Sequence, residues 1–253
     1  MIRDREPGPV LAVEGLQMSF GDTLVQQDLT FDVRRGDVFL IIGPSGCGKS
    51  TLLRHLIGLQ TPAAGTIRYG GEDLWALDEE ERIRQLRRIG VLFQGGALWS
   101  SLTVAENIAL PLHHYTRLSA AEIRGQVAFK LALVGLDGYQ DFAPAQLSGG
   151  MRKRVGLARA LALDPEILFF DEPSAGLDPV SARRLDDLIL ELRESLAATL
   201  VVVTHELASI FAIGSNGVFL DPEQRTMIAS GSPAEMLAAG EPKVREFLQR
   251  GEA

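Results

Sequence analysis

Short, wholly apolar runs alternate along the chain with segments whose apolar residues return every three or four positions. Val38-Phe39-Leu40-Ile41-Ile42 has no polar member, which predicts a strand buried on both faces, and Gly43 stops it. Ile89–Phe93, Ile167–Phe170 and Leu200–Thr204 predict further core strands, and Leu11–Leu16 and Leu29–Val33 predict strands of a small leading sheet. A helix is expected from Lys49 through Leu56, with Gly58 as its stop. Ser119-Ala120-Ala121-Glu122 is a capping box, and Ala120, Ile123, Val127, Leu131 and Val134 then form one apolar helical face. A second helix is expected after Ser148, so residues 97–160 read as mostly helical. Asp178-Pro179 reads as an N-cap and first helical position before the stripe Leu185, Leu188, Ile189 and Leu192, and Ser232-Pro233-Ala234-Glu235 opens another helix. Neither an internal repeat nor a low-complexity linker is visible. The pattern is that of an α/β fold with a largely parallel sheet and an inserted helical segment.

Composition narrows the function classes. The chain has 25 Lys+Arg against 33 Asp+Glu, a net charge of −8, which argues against a nucleic-acid partner held by phosphate neutralisation. Cys47 is the single cysteine, which excludes an intramolecular disulfide and fits a reducing compartment. Met1–Pro7 has no apolar stretch and does not read as a secretory signal. Val38–Ile42, Ile167–Phe170 and Leu200–Val203 fall far short of the about 20 apolar residues of a spanning helix. Any action at a membrane is therefore expected from its side.

Three motifs carry chemistry. Gly43-Pro44-Ser45-Gly46-Cys47-Gly48-Lys49-Ser50 stands between a predicted buried strand and a helix, the context a phosphate loop requires. Its glycines let successive N–H groups face phosphate oxygens, the helix start adds positive potential, Lys49 neutralises charge and the Ser50 hydroxyl is suited to Mg²⁺. Cys47 reads as a small filler whose backbone N–H matters. Ile167–Phe170 delivers Asp171 to the end of a strand as a second oxygen ligand for Mg²⁺, and Glu172 is placed to orient or deprotonate a water. Leu147-Ser148-Gly149-Gly150-Met151 puts a hydroxyl and two glycine N–H groups at a helix start, a second anion-binding element that is also a good helix-start turn without any ligand.

Together these motifs resemble an ABC-type nucleotide-binding domain over nearly the whole length. The resemblance implies a P-loop NTPase core over 10–96 and 161–230, with a small leading antiparallel β-sheet, a helical subdomain over 97–160 and a C-terminal helical tail over 231–253. It implies ATP and Mg²⁺ as ligands, a head-to-tail dimer of two copies, and Ser148, Gly149 and Gly150 acting on the nucleotide held by the second copy. Gln94, Glu172 and His205 take catalytic roles on this reading, and Ser50, Gln94 and Asp171 hold the metal. Phe20 stacks on adenine, Thr51 joins the phosphate-loop residues, and Ser174–Asp178 is the loop crossing between copies, with Asp178 counted among the nucleotide contacts. Met151 stands where many members have glutamine, and Phe20 where tyrosine is commoner; neither change removes a group the chemistry needs.

A single such domain without heptads argues for a transporter subunit over a soluble translation or repair ATPase, and requires a separate multi-spanning permease. The segment Phe93–Asn107, with Gly95-Gly96-Ala97-Leu98-Trp99, is similar to ATPases of MCE-type (Mla-like) lipid transporters, as are Arg152-Lys153-Arg154 and Ala109-Leu110-Pro111-Leu112. That resemblance implies an MCE-domain protein and a small accessory subunit as partners, and the cytoplasmic face of the inner membrane as the location. An importer for amino acids or another small polar solute is the competing reading.

Overall fold

The computed structural model describes residues 8–249, so Met1–Pro7 lies outside the described residues. In chain order the elements are β1 (Leu11–Phe20), β2 (Thr23–Val33), β3 (Val38–Ile42), α1 (Lys49–Leu56), β4 (Ala64–Tyr69), β5 (Glu72–Asp73) and α2 (Glu79–Leu86). Next come β6 (Ile89–Leu92), α3 (Val104–Tyr115), α4 (Ala120–Leu133), a 3-10 turn (Pro144–Gln146), α5 (Gly149–Ala160), β7 (Ile167–Asp171) and α6 (Pro179–Leu196). The chain closes with β8 (Thr199–Val203), α7 (Leu207–Ile213), β9 (Asn216–Asp221), β10 (Thr226–Ser230), α8 (Pro233–Ala239) and α9 (Pro242–Gln249). They fall into two compact units, one formed by the chain up to Leu86 together with Thr199 onward, the other by Arg87–Ala198.

The first unit holds two sheets. Strands β2-β1-β4-β5 form an antiparallel sheet. In the other sheet β3 lies between β8 and β9, parallel to both, and β10 runs antiparallel on β9. Every residue of β3 and β8 is buried, which is why their sequences carry no polar alternation. Strand β8 starts and stops one residue earlier than the sequence pattern suggests. Thr204 follows the strand with its N–H still on the Ile41 carbonyl at 3.4 Å, and its hydroxyl accepts from the Glu206 N–H at 3.0 Å to turn the chain. Helix α1 ends where Gly58 was expected to stop it. Gly58 adopts φ 74 and donates to the His55 carbonyl at 3.2 Å while Leu59 reaches back to Arg54 at 2.9 Å, the paired bonds of a Schellman ending.

The second unit pairs β6 with β7 in parallel, Ile89 opposite Ile167, and contains α3 to α6. Strand β6 ends at Leu92, one residue before the expected Phe93, because Phe93 already accepts the turn bond from the Gly96 N–H at 2.8 Å. The α5 helix lies very close to β6. A Cβ on Gly90 would meet the Ala160 carbonyl oxygen at 2.3 Å, and one on Gly156 would meet Leu92 Cδ1 at 2.9 Å. Helices α3 and α4 start with complete capping boxes, Thr103 with Glu106 and Ser119 with Glu122. Ile123, Val127, Leu131 and Val134 are buried as the helical spacing requires, whereas Ala120, at the first helical position, is exposed. Among the described residues no helix is long and apolar enough to cross a membrane.

Candidate functional site

In the first unit, β3 delivers the chain directly into the phosphate loop. Gly43, Gly46 and Gly48 take φ values of 148, 81 and 100, a backbone path that side-chain-bearing residues disfavour. Added Cβ atoms would meet the Leu220 carbonyl oxygen at 2.5 Å from Gly43 and Val25 Cγ1 at 2.9 Å from Gly48. Gly48 is the N-cap of α1 and supplies no side-chain cap, which suits this helix start to an incoming acceptor. Lys49 is 7% exposed and its Nζ donates to the Gly43 and Pro44 carbonyls at 2.9 and 3.0 Å. Its ammonium thus lies over its own loop, where a phosphate would exchange carbonyl partners for charged oxygens. Ser50 is exposed and Thr51 half-buried at the start of the same helix.

Cys47 is buried, and its N–H donates to the Pro44 carbonyl at 3.3 Å. Burial pushes its thiol up in pKa against the pull of the nearby Lys49, which keeps it protonated and supports its reading as a filler. Gln26 of β2, fully buried, donates from one amide nitrogen to the Cys47 carbonyl at 2.6 Å and the Asp221 carbonyl at 3.1 Å. This brace between the loop and the end of β9 was invisible in the sequence pattern. His205 stands exposed just beyond β8, and Phe20 is 50% exposed at the end of β1. Phe20 is therefore not a core residue, and its ring is available for stacking.

In the second unit, Gln94 is exposed directly after β6. The turn that follows it, with Gly96 at φ 76 and Ala97 at φ 47, is held by Arg159 of α5, whose guanidinium donates to the Gly96 and Ala97 carbonyls at 2.9 and 2.8 Å. Asn107, fully buried in α3, accepts from the Trp99 N–H at 2.8 Å and donates to the carbonyls of Trp99, Leu102 and Thr103 at 3.1, 3.3 and 2.9 Å. The loop from Gln94 to Thr103 is thereby pinned at both ends while the Trp99 ring remains 62% exposed. Asn107 occupies an inward position beside Val104 and Ile108, and a polar residue there is the signal that could have revealed it.

Ser148 caps α5, its Oγ accepting from the Met151 N–H at 3.2 Å, which leaves its O–H able to donate. Ser148 and Gly149 are exposed and Gly150 is half-buried. Strand β7 ends at the half-buried Asp171. Glu172 follows at 8% exposure with φ 49, a left-handed conformation costly for a residue with a side chain and characteristic of functional turns. Asp178 caps α6 by accepting from Val180 and Ser181 N–H groups at 3.1 and 3.0 Å. Hydrogen bonds from the Ser181 side chain and backbone hold its carboxyl below the usual range. The hydroxyl of Ser50, the carboxylate of Asp171 and the amide oxygen of Gln94 are hard oxygen donors of the kind Mg²⁺ takes. Between α3 and α4 runs a groove of about 650 Å³, its walls formed largely by Leu102, Ala105, Ala109, Leu110, Ile123 and Val127.

A family model described as ABC transporter matches residues 26–175. The chain belongs to the ABC transporter family. As an ABC transporter ATP-binding subunit it hydrolyses ATP, and its relatives span the same cassette. It is 41% identical over 241 residues to a protein of Mycobacterium leprae (strain TN) named "Probable ribonucleotide transport ATP-binding protein mkl", covering 95% of this chain and 69% of that one. It is 38% identical over 228 residues to "Intermembrane phospholipid transport system ATP-binding protein MlaF" of Escherichia coli (strain K12), covering 90% and 84%. Among solved structures, cbiO1 from Clostridium perfringens, part of an ABC transporter complex, superposes with a TM-score of 0.83 at 28% identity over 96% of this chain and 95% of that one. The dimeric bacterial ABC transporter cassette MJ0796 superposes with a TM-score of 0.80 at 29% identity, covering 88% and 98%.

Proposed function

We propose that this chain drives the movement of phospholipid or another lipid, as the ATPase subunit of an MCE-type system with a separate membrane-spanning permease. The observation that carries this is the 38% identity with the phospholipid-transport ATP-binding protein of Escherichia coli over nearly the whole cassette. The Gly95–Trp99 segment supports it, because the loop after Gln94 is held by Arg159 and Asn107 while the Trp99 indole stays exposed. On this reading the α3–α4 groove and Trp99 receive a cytoplasmic helix of the permease, and the chain sits peripherally on the cytoplasmic face of the inner membrane. An MCE-domain protein and a small accessory subunit complete the assembly on this reading. The 41% identity to a protein named for ribonucleotide transport favours a second reading, a small polar solute as cargo.

Catalysis follows from the residue chemistry. Lys49 and the uncapped first turn of α1 bind the nucleotide's phosphates, and Phe20 stacks on its base. Ser50, Asp171 and Gln94 would hold a magnesium ion, whose charge would be supplied to the phosphate oxygens. Glu172 takes the proton of the attacking water as its oxygen bonds to the γ-phosphorus. The bond from that phosphorus to the β–γ bridging oxygen breaks, and ADP keeps the electron pair. His205 and Gln94 orient the water and the γ-phosphate. Ser148, Gly149 and Gly150 of a second copy bind the same γ-phosphate, so hydrolysis removes the group that bridges the two copies and the pair reopens.

The deciding experiment is affinity purification of the full chain from gently solubilised membranes, with proteins and lipids identified by mass spectrometry. A multi-spanning permease recovered with an MCE-domain protein and phospholipid supports the lipid reading. Recovery with a permease and a solute-binding protein instead overturns it in favour of a small-solute importer. A chain found only with ribosomes or DNA refutes transport altogether.

A further inference from the structure

Lys153 lies in the second turn of α5, five residues after Ser148, and is only 6% exposed. A buried ammonium is tolerated only where acceptors surround it. Its Nζ donates to the carbonyls of Pro173 and Ala175 at 2.6 Å each and approaches that of Glu172 at 3.4 Å. The Glu172 carbonyl also accepts from the Ala175 N–H at 3.2 Å, closing a turn directly after the left-handed Glu172. One side chain therefore spans from the helix that begins Ser148-Gly149-Gly150 to the Glu172 carbonyl and to two carbonyls of the turn that follows it. The sequence around it, Met151-Arg152-Lys153-Arg154, gives no hint that one of three cations is buried.

We infer that Lys153 is a positioning residue for hydrolysis: it holds Glu172 in its left-handed conformation and carries displacements of α5 to it. This rests on the reading of Glu172 as the group that accepts the water's proton. When the γ-phosphate held by a second copy engages Ser148–Gly150, α5 is drawn toward it, and the Lys153 tether moves with the helix the backbone of Glu172, which serves the nucleotide of its own copy. Binding at the helix start and alignment of the carboxylate thus become one event. The three carbonyls are backbone groups, so the constraint does not depend on which side chains flank Glu172.

The test measures steady-state ATP hydrolysis and ATP binding for Lys153→Met, Lys153→Gln and Lys153→Arg in the full chain, purified with the membrane proteins that accompany it. Misplacing a catalytic group by a fraction of an ångström costs about tenfold or more in rate, so Lys153→Met should lose at least about tenfold in kcat. Its KM and ATP affinity should stay within about threefold of the parent, since the carbonyls it binds belong to Glu172 and the turn after it, not to the phosphate loop. Lys153→Arg, which keeps the cation and its donors, should recover most of the rate. Adding Lys153→Met to Glu172→Gln should lower the residual rate by less than about threefold, because the tether would then hold a group that no longer accepts a proton. A Lys153→Met enzyme with unchanged kcat overturns the inference, as does a loss that multiplies undiminished in the Glu172→Gln background or appears only in KM. If Lys153→Met does not fold, Lys153→Gln decides by the same criteria. Full activity in Glu172→Gln alone refutes the proton-acceptor reading and this inference with it. A poor Glu172→Gln enzyme beside a fully active Lys153→Met enzyme refutes the tether alone.

Discussion

The side-chain amide of Gln26 donates to the carbonyl of Cys47 across 2.6 Å, joining a strand of the leading sheet to the centre of the phosphate loop. The same nitrogen also reaches the Asp221 carbonyl, so the loop is braced against β9 as well. Replacing Gln26 with Leu leaves both buried carbonyls without this donor, and the expected cost is about 1–3 kcal/mol of stability. The loop should also bind ATP more weakly. Thermal melts with and without nucleotide check both effects, and an unchanged melting curve would remove Gln26 from this role.

Lys49→Ala removes the ammonium that donates to the Gly43 and Pro44 carbonyls. Charge-assisted bonds of this kind contribute about 1.5–3 kcal/mol, so ATP affinity should fall about ten- to a hundredfold. Titration with a fluorescent nucleotide reads this directly, and normal affinity would contradict the phosphate-loop assignment.

Glu172 combines a chemical and a conformational prediction. Glu172→Gln should bind ATP and persist as a nucleotide-bound dimer in size-exclusion chromatography while turnover drops at least about a hundredfold. Glu172→Gly should melt above Glu172→Ala, because alanine keeps a Cβ at φ 49 and glycine does not, a difference of about 1 kcal/mol. Equal melting temperatures would show that the left-handed conformation relaxes on substitution.

Asp178 gives a pH dependence with a definite sign. Its folded carboxyl is held below the ordinary value of 3.8, chiefly by the Ser181 side chain and then by backbone N–H groups. The stabilisation is therefore complete above that ordinary value and fades as pH falls through the lower folded one. Urea midpoints measured between about pH 2 and 5 should decline more steeply for the parent than for Asp178→Asn, which caps without titrating. Parallel declines would exclude the cap as a source of acid sensitivity.

The strands around the nucleotide-binding motifs were legible because burial on both faces leaves no polar alternation in them, as in β3 and β8. The phosphate loop was legible for a different reason: each residue type answers a backbone or charge requirement. Gln26 was not, because β2 changes its inward register at Asp28, which sits at φ 52. Leu29, Phe31 and Val33 point inward on one side of that irregularity and Gln26 on the other, so the alternation that would mark Gln26 as buried is broken. Strand β9 went unread because its apolar stretch, Val218-Phe219-Leu220, is too short to stand out. Lys153 and Arg159 act on backbone carbonyls 19 to 63 residues away, and nothing in local spacing encodes such partners.

Thr103, Ser119, Ser148, Asp178 and Ser232 each close the start of their own helix with a side-chain oxygen, whereas Gly48 leaves that of α1 without one. Those five helices cap their first turn from within the chain, whereas the first turn of α1, without a side-chain cap, is suited to an acceptor from outside it. A substitution that supplied an internal acceptor there would make a sturdier protein and a poorer motor, because fuel and folding would then compete for the same donors.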